Sequence, residues 1–379
     1  MLIAGALFTL GAAVQASAPA TLVLVAGRLI IGAGVGVAAV AAPLYAAELA
    51  PASWRGRFVS AYQLAITIGI FLAYLIDGWL SANASWRMML GAAAAPGLLL
   101  FIVALVAPES PRWRMKMHRR DEAAVEIKKV VPAGDDIEAD LNEIASALSH
   151  EPSGGARSEV SRSEWRRPQM VGLGLAIFQQ VTGVNAIIYY ADQIFGAADF
   201  VTEASRTTVT TWAIGGVNVL STLIAIAFID RLGRRKLLLA GLVGMAISLA
   251  VVGIAFRFIG NAAGGAAAAP SGAGIVTLFA LVGFIICFAF SMGPVTWTVI
   301  NEIFPGHIRG RAVATAANWG SAFLVSQCFL TLIGAIGDSW TFWLFALFCI
   351  IAWVWIYFRV PETKGESLEQ IQQFWKEPA

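Results

Sequence analysis

Long apolar stretches, each closed by a short polar turn, recur along this chain from its first residue to about Phe358. A helix needs about 20 apolar residues to cross a hydrocarbon layer of ~30 Å. The pattern predicts ten spans, at Met1–Gln15, Thr21–Leu49, Phe58–Leu80, Met88–Val106, Met170–Phe195, Thr207–Ile229, Leu237–Phe258, Ala273–Ile303, Ala312–Ile336 and Trp340–Phe358. The first stretch has no basic flank, and the stretches after it are equally apolar, so it reads as a span rather than a secretory leader. Polar positions gather in one long interruption, Pro108–Gln169. Within it Asp121–Val130 is helix-like, and Ile137, Leu141, Ile144 and Leu148 recur at intervals of 4, 3 and 4 residues, one stripe of a helix. Short helices packed on the cytoplasmic face are expected there, with a flexible Gly- and Ser-rich joint at Glu151–Ser163. Asn261–Gly272, mostly Ala and Gly, reads as a loop of low complexity.

Composition fixes the class. Hydrophobic residues make up 58% of the chain and charged residues 13%, with a mean hydropathy of +0.73; soluble chains carry roughly 25% charged residues. The fold class is therefore all-α integral membrane, with the lipid bilayer as its surroundings. Cys287, Cys328 and Cys349 lie far apart in apolar stretches, where a thiol behaves as a small hydrophobe, and imply no disulfide. His118, His150 and His307 fall in connections, so no metal site is expected. No phosphate-binding loop, HExxH or GxSxG element occurs, the spans hold no cluster of catalytic His, Asp or Glu, and neither an enzyme nor a cofactor is expected. The net charge of +2 gives no pointer to nucleic acid.

The placement of positive charge orients the chain, because Lys and Arg near span ends stay on the cytoplasmic side. Of the 26 Lys and Arg residues, 22 fall on one side; Arg87, Arg206 and Arg257 fall on the other, and Arg28 lies inside a span. Both termini are predicted to be cytoplasmic, in a cell membrane of bacterial inner-membrane type.

An internal repeat divides the chain. YAAELAPASWRGR, ending at Arg57, is echoed 254 residues later by VINEIFPGHIRGR, ending at Arg311, and PESPRW from Pro108 is echoed by PETKG from Pro361. Such self-similarity indicates two copies of one bundle. The second copy has two spans, joined by the basic turn DRLGRRK at Asp230–Lys236, ahead of the span that matches the chain's first. The subtraction predicts a parallel 6 + 6 architecture of which this chain holds 4 + 6, about ten of an expected twelve helices, with two spans upstream of Met1. The organisation expected is a partial bundle over 1–107, a cytoplasmic linker over 108–169, a six-span bundle over 170–360 and a tail over 361–379.

RLIIGAGVG, AELAPASWRGR, PESPRW, QQVTGVNAIIYYA, DRLGRRK, GPVTWTVINEIFP, RGRAVATAANW and PETKGESLE stand in register along nearly the whole chain. Together they resemble the sugar porter family of the major facilitator superfamily, and most closely its bacterial proton-linked hexose and pentose carriers. The resemblance implies transport of a monosaccharide by alternating access, with proton symport in a full-length form, by a monomer. It places a sugar site at the bilayer midplane, on Gln179, Gln180, Asn185, Tyr189, Asn218, Gly293, Trp297, Asn318 and Trp319, with Gln63 from the first bundle. Ile70 stands where some relatives have glutamine.

The same residues can be read without the family. Amides inside apolar spans are costly unless paired, and five or six residues separate Asn185 from Gln180 and Gln179, too far for a simple i, i+4 ladder. They need partners, either on neighbouring helices or on a sugar, whose hydroxyls donate and accept as amides do and whose C–H face suits an aromatic plane such as Trp297 or Trp319. Trp340 and Trp355 read as interface anchors. Glu48, Arg55, Glu109, Arg112, Asp230, Arg231, Arg234, Glu302, Arg309 and Glu362 cluster at cytoplasmic span ends, where ion pairs across the bundles would close that face in one state. Gly27, Gly32, Gly34 and Gly36 are expected to allow close helix approach. Arg28 is the charge deepest in a span and wants a carboxylate. The resemblance sets it opposite an aspartate on the first span, as part of proton coupling. Two alternatives accompany this reading, a truncated fragment that does not transport and a sugar sensor of transporter ancestry.

Overall fold

The computed structural model describes residues 1–49, 55–81, 85–130, 137–149, 166–200, 202–259, 271–303 and 308–362. The predicted joint at Glu151–Ser163, the loop at 261–270 and the tail beyond Glu362 lie outside the described residues. Among the described residues nine helices, some of them interrupted, are long and apolar enough to cross a membrane, and Leu2–Ala16 is a shorter apolar helix at the first predicted span. The chain divides into two compact units, Met1–Tyr62 with Leu80–Trp165, and Gln63–Trp79 with Arg166–Ala379. The predicted third span thus gives its middle to the second unit.

The first unit opens with α1 (Leu2–Ala16) and α2 (Thr21–Leu49), continues through the ends of α3 (Arg55–Ser81), and returns in α4 (Trp86–Ala92) and α5 (Ala94–Val106). α1 packs on α2 and α5. The approach is close because of glycine: a Cβ at Gly11 would stand 2.6 Å from the Ile31 Cγ1, and one at Gly27 would stand 2.7 Å from the Gln15 Cγ. Gly34 likewise faces Leu7 and Phe8 at 3.2 Å, but Gly32 and Gly36 have nothing within 4 Å. The expected packing role therefore holds for two of the four glycines, because α1 covers one face of α2 only.

The polar linker forms the two predicted helices, α7 (Arg120–Val130) and α8 (Ile137–Ser149). Ala123, Ile127 and Leu141 are buried between them, with Met115, Ala124, Ile137 and Ile144 packed against that cluster. Arg120 reaches across from α7 to Glu138 at 2.6 Å and Asn142 at 3.0 Å on α8. A further helix, α6 (Pro111–Lys116), was not foreseen. Its start is set by Pro111 in the first turn and by Ser110, whose hydroxyl accepts from the Trp113 N–H at 3.3 Å, two local N-terminal signals.

In the second unit three of the spans are interrupted. The predicted span Met170–Phe195 is α9 (Arg166–Val181), α10 (Val184–Tyr189) and α11 (Ala191–Ala197); the next is α12 (Glu203–Val209), a π-helical turn at Thr210–Gly216 and α13 (Val217–Leu232). After α14 (Arg234–Ile259), the predicted span Ala273–Ile303 is α15 (Gly272–Phe290) and α16 (Pro294–Ile303), and α17 (Ile308–Ile336) and α18 (Asp338–Arg359) follow unbroken. α14 packs between α15 and α18. Phe256 stacks on Phe342 with centroids 5.4 Å apart, and Phe329 meets both Phe342 and Phe345.

Candidate substrate-binding site

α9 stops because of one residue. Gly183 sits at φ +94°, the left-handed region, and a Cβ there would stand 2.9 Å from the Phe345 ring. A side chain is excluded on both counts. The chain bends at Thr182 and Gly183, and α10 restarts with the Ile187 N–H on the Gly183 carbonyl at 3.0 Å. The bend shortens the path from Gln180 to Asn185, so the Asn185 Nδ2 donates to the Gln180 Oε1 at 2.6 Å. The spacing, too wide for a simple i, i+4 ladder, is spanned because the break changes the pitch between the two amides.

Gln180 in turn donates from Nε2 to the Asn318 Oδ1 on α17 at 2.8 Å. Gln179 turns to the second break. Between α15 and α16 the helix lapses at Ser291–Gly293, and the Gln179 Nε2 donates to the Met292 carbonyl at 2.6 Å and the Gly293 carbonyl at 3.2 Å. One interruption thus supplies the amide that satisfies backbone freed by the other, which is the condition for irregular backbone at membrane depth. Gln179 and Gln180 are 3% and 5% exposed and Asn318 is 5% exposed, whereas Asn185 is half-buried.

The result is a polarised chain, Asn185 to Gln180 to Asn318. Its middle is engaged through both nitrogen and oxygen by these bonds, and its ends offer opposite chemistry: the Asn185 Oδ1 accepts and the Asn318 Nδ2 donates. A hydroxyl-rich neutral molecule matches such a pair of ends. Trp297 stands one turn along α16 from Gly293 and is half-buried, and Trp319 follows Asn318 on α17 and is exposed. Five of the expected site residues, Gln179, Gln180, Asn185, Gly293 and Asn318, are therefore joined directly. Among the described residues no hydrogen bond joins Gln63, Tyr189 or Asn218 to them. Gln63 lies half-buried on α3, Tyr189 is exposed at the end of α10, and Asn218 is buried on α13 with its Oδ1 unpartnered.

Sequence reasoning missed three contacts that hold the region. The Tyr190 hydroxyl donates to the Ser326 carbonyl at 2.9 Å, the Tyr74 hydroxyl donates to the Ile188 carbonyl at 2.6 Å, and the Met292 carbonyl receives Gln179. Thr-Gly inside an apolar run was the one available signal for the first break, and Gly-Pro at Gly293 and Pro294 for the second.

At the charged landmarks, Glu48 and Glu362 form clasps within their own units. In the first unit the Ser110 hydroxyl donates to the Glu48 Oε2 at 2.5 Å, and the Tyr45 hydroxyl donates to the Pro108 carbonyl at 2.7 Å, tying α2 to the PESP segment. In the second, Glu362 accepts from the Arg234 N–H at 2.8 Å and the Arg235 N–H at 3.2 Å, the unsatisfied donors at the start of α14. Gly233, at φ +89°, lets the carboxylate approach; a Cβ would stand 2.9 Å from its Oε2. The motifs DRLGRRK and PETKG thus meet in one clasp. Glu109 is exposed and Arg112 half-buried on α6. The side chains of Arg55, Asp230, Arg231, Glu302 and Arg309 lie outside the described residues. Arg28 is exposed on α2, with no carboxylate bonded to it among the described residues.

The family model for the sugar (and other) transporters matches residues 1–375. A putative metabolite transport protein of Bacillus subtilis is 40% identical over 373 residues, 98% of this chain and 79% of that protein. The arabinose-proton symporter of Bacillus subtilis is 34% identical (99% and 80%), and the galactose-proton symporter of Escherichia coli 36% identical (98% and 79%). Among solved structures, the proton:xylose symporter bound to 6-bromo-6-deoxy-D-glucose superposes with a TM-score of 0.82 at 29% identity, covering 99% of this chain and 82% of that one. The inward open xylose transporter from Escherichia coli gives 0.76 at 30% identity, with the same coverage.

Proposed function

This chain belongs to the sugar transporter family of the major facilitator superfamily, and we propose that it carries a monosaccharide, a hexose or pentose, across a membrane together with a proton. It is a multi-pass membrane protein and a transporter rather than an enzyme. The observation that carries the substrate class is the amide chain from Asn185 through Gln180 to Asn318, open to a donor at one end and an acceptor at the other. Neutral amides match neutral hydroxyls, and a site that bonds hydroxyls discriminates strongly against molecules that lack them. Trp297 and Trp319 supply apolar planes for the C–H face of the sugar. Its relatives include arabinose- and galactose-proton symporters, which supports coupling to protons. The site opens alternately to the two faces of a bacterial inner membrane, the termini lie in the cytoplasm, and the chain works as a monomer. Arg28 takes part in coupling, and the charged landmarks around Glu48 and Glu362 make and break bonds as the state changes.

The test is uptake of radiolabelled D-glucose, D-galactose, D-xylose and L-arabinose into vesicles that hold the full chain, with and without an inward proton gradient. Accumulation of at least one sugar, abolished by a protonophore and reduced at least tenfold by Gln180→Ala, is expected. Saturable uptake indifferent to the gradient would leave facilitated diffusion in place of symport, and no uptake of any sugar would overturn the reading.

A further inference from the structure

α10 is six residues long. So short a helix has little stability of its own, and its position is set by what it touches. At its start Asn185 bonds Gln180. Near its end the Ile188 carbonyl, in the last turn where carbonyls run out of helical donors, is met by the Tyr74 hydroxyl at 2.6 Å.

Tyr74 is itself firmly seated. It lies in the middle of α3, which runs against the π-helical turn of the neighbouring span. The Thr211 hydroxyl reaches the Tyr74 carbonyl at 3.5 Å, and a Cβ on Gly215 would stand 2.9 Å from the Tyr74 ring. One turn before it, Phe71 meets Trp212 edge-on with centroids 5.4 Å apart, and one turn after it a Cβ on Gly78 would stand 2.8 Å from the Thr207 Cγ2. The π turn and α3 meet through these side chains as one wall, and from that wall the Tyr74 hydroxyl extends to α10.

We infer that Tyr74 is a positioning residue for the substrate site: its hydroxyl latches Val184–Ala197 so that Asn185 stays within reach of Gln180. The inference rests on the sugar-site reading given above, but the latch can be tested without sugar. Losing the bond to Ile188 leaves Val184–Ala197 held by the Tyr190–Ser326 bond and its buried apolar face, so the stretch nearest Gly183 loosens and the open acceptor end of the amide chain is less firmly held in register with its donor end. The ring of Tyr74 keeps its packing when only the hydroxyl is removed, so Tyr74→Phe separates latch from wall.

Hydrogen–deuterium exchange of the sugar-free full chain is compared for the parent, Tyr74→Phe and, as a packing control on the same wall, Phe71→Leu. Tyr74→Phe is expected to speed exchange in Val184–Ala197 about threefold to tenfold, the range spanned by loss of one neutral hydrogen bond, and to leave α14 unchanged. It should raise the KM of whichever panel sugar the parent carries by a similar factor, with the maximal rate within about twofold. Phe71→Leu should lower thermal stability without singling out Val184–Ala197. Unchanged exchange in that segment, or a rise spread equally over the whole unit, would overturn the latch. Local loosening in a chain that carries no sugar would instead keep the latch and remove the sugar reading.

Discussion

The two units are built from the same material, apolar helices of transmembrane length, but treat their backbone differently. In the first, α2 runs for 29 residues without a break, even through Pro43, and packs on α1 by glycine notches, and the turn at Ala93 between α4 and α5 is bridged by the backbone alone, Gly97 N–H to the Ala93 carbonyl at 3.3 Å. In the second, one span stops at Thr182 and Gly183, the next widens into a π turn at Thr210–Gly216, and another lapses at Ser291–Gly293. A chain in lipid must satisfy its backbone polar groups from within, so each lapse needs side-chain partners. Gln179 satisfies one, Tyr74 meets the end of α10, and the amide chain from Asn185 to Asn318 grows beside the first. The contrast teaches where polar cargo can be held: hydrogen-bonding side chains gather beside the breaks, joined there by Asn318 from unbroken α17.

Gly183→Val attacks the contrast most directly, by forcing the second unit toward continuous helix. It sets a β-branched residue at φ +94° and drives it into Phe345. Strain of ~1–3 kcal/mol plus that clash should abolish sugar uptake and lower the thermal midpoint, as read by transport in vesicles and by unfolding in detergent. Gln180→Ala keeps the break but cuts the chain in its middle, stranding Asn185 and Asn318. Each stranded amide costs ~1–3 kcal/mol, so sugar affinity should fall at least tenfold in an equilibrium titration.

How much of this was legible in the sequence follows the same divide. The spans, the charge asymmetry and the linker helices could be read, because apolar length and the 4, 3, 4 stripe at Ile137, Leu141, Ile144 and Leu148 depend only on which residues face lipid or core. The amides that form the bonded chain could also be picked out, since amides in apolar runs stand out. The breaks were marked only by Thr-Gly and Gly-Pro, because hydropathy is the same on both sides of Gly183 and a helical ruler spaced Gln180 and Asn185 too far apart. Tyr74 could not be read, since its partner is a backbone carbonyl that leaves no mark in composition. α6 was hidden for a related reason: its six residues carry no apolar period, and only the Ser110–Pro111 start announces it.

Smaller effects sharpen the comparison at its edges. Gly233→Ala, at φ +89° under the Glu362 carboxylate, should cost ~1–3 kcal/mol of stability and loosen the start of α14, visible as faster hydrogen exchange at Arg234 and Arg235. Sugar affinity should hold within about threefold, since the clasp and the amide chain share no side-chain bond. Gly32→Ala, facing open space on α2, should shift stability by no more than ~0.5 kcal/mol; a larger loss in a thermal melt would show that this face is packed.

The central claim is that a hydroxyl-rich sugar bridges the open ends of the amide chain at Asn185 and Asn318, and calorimetric titration of the purified full chain with the four-sugar panel tests it most directly. The account predicts saturable binding of at least one sugar, weakened at least tenfold by Asn185→Ala and by Asn318→Ala separately, with the deoxy analogue lacking the bonded hydroxyl binding no better to the parent than the sugar binds to those variants. Binding that survives both substitutions unchanged would contradict it.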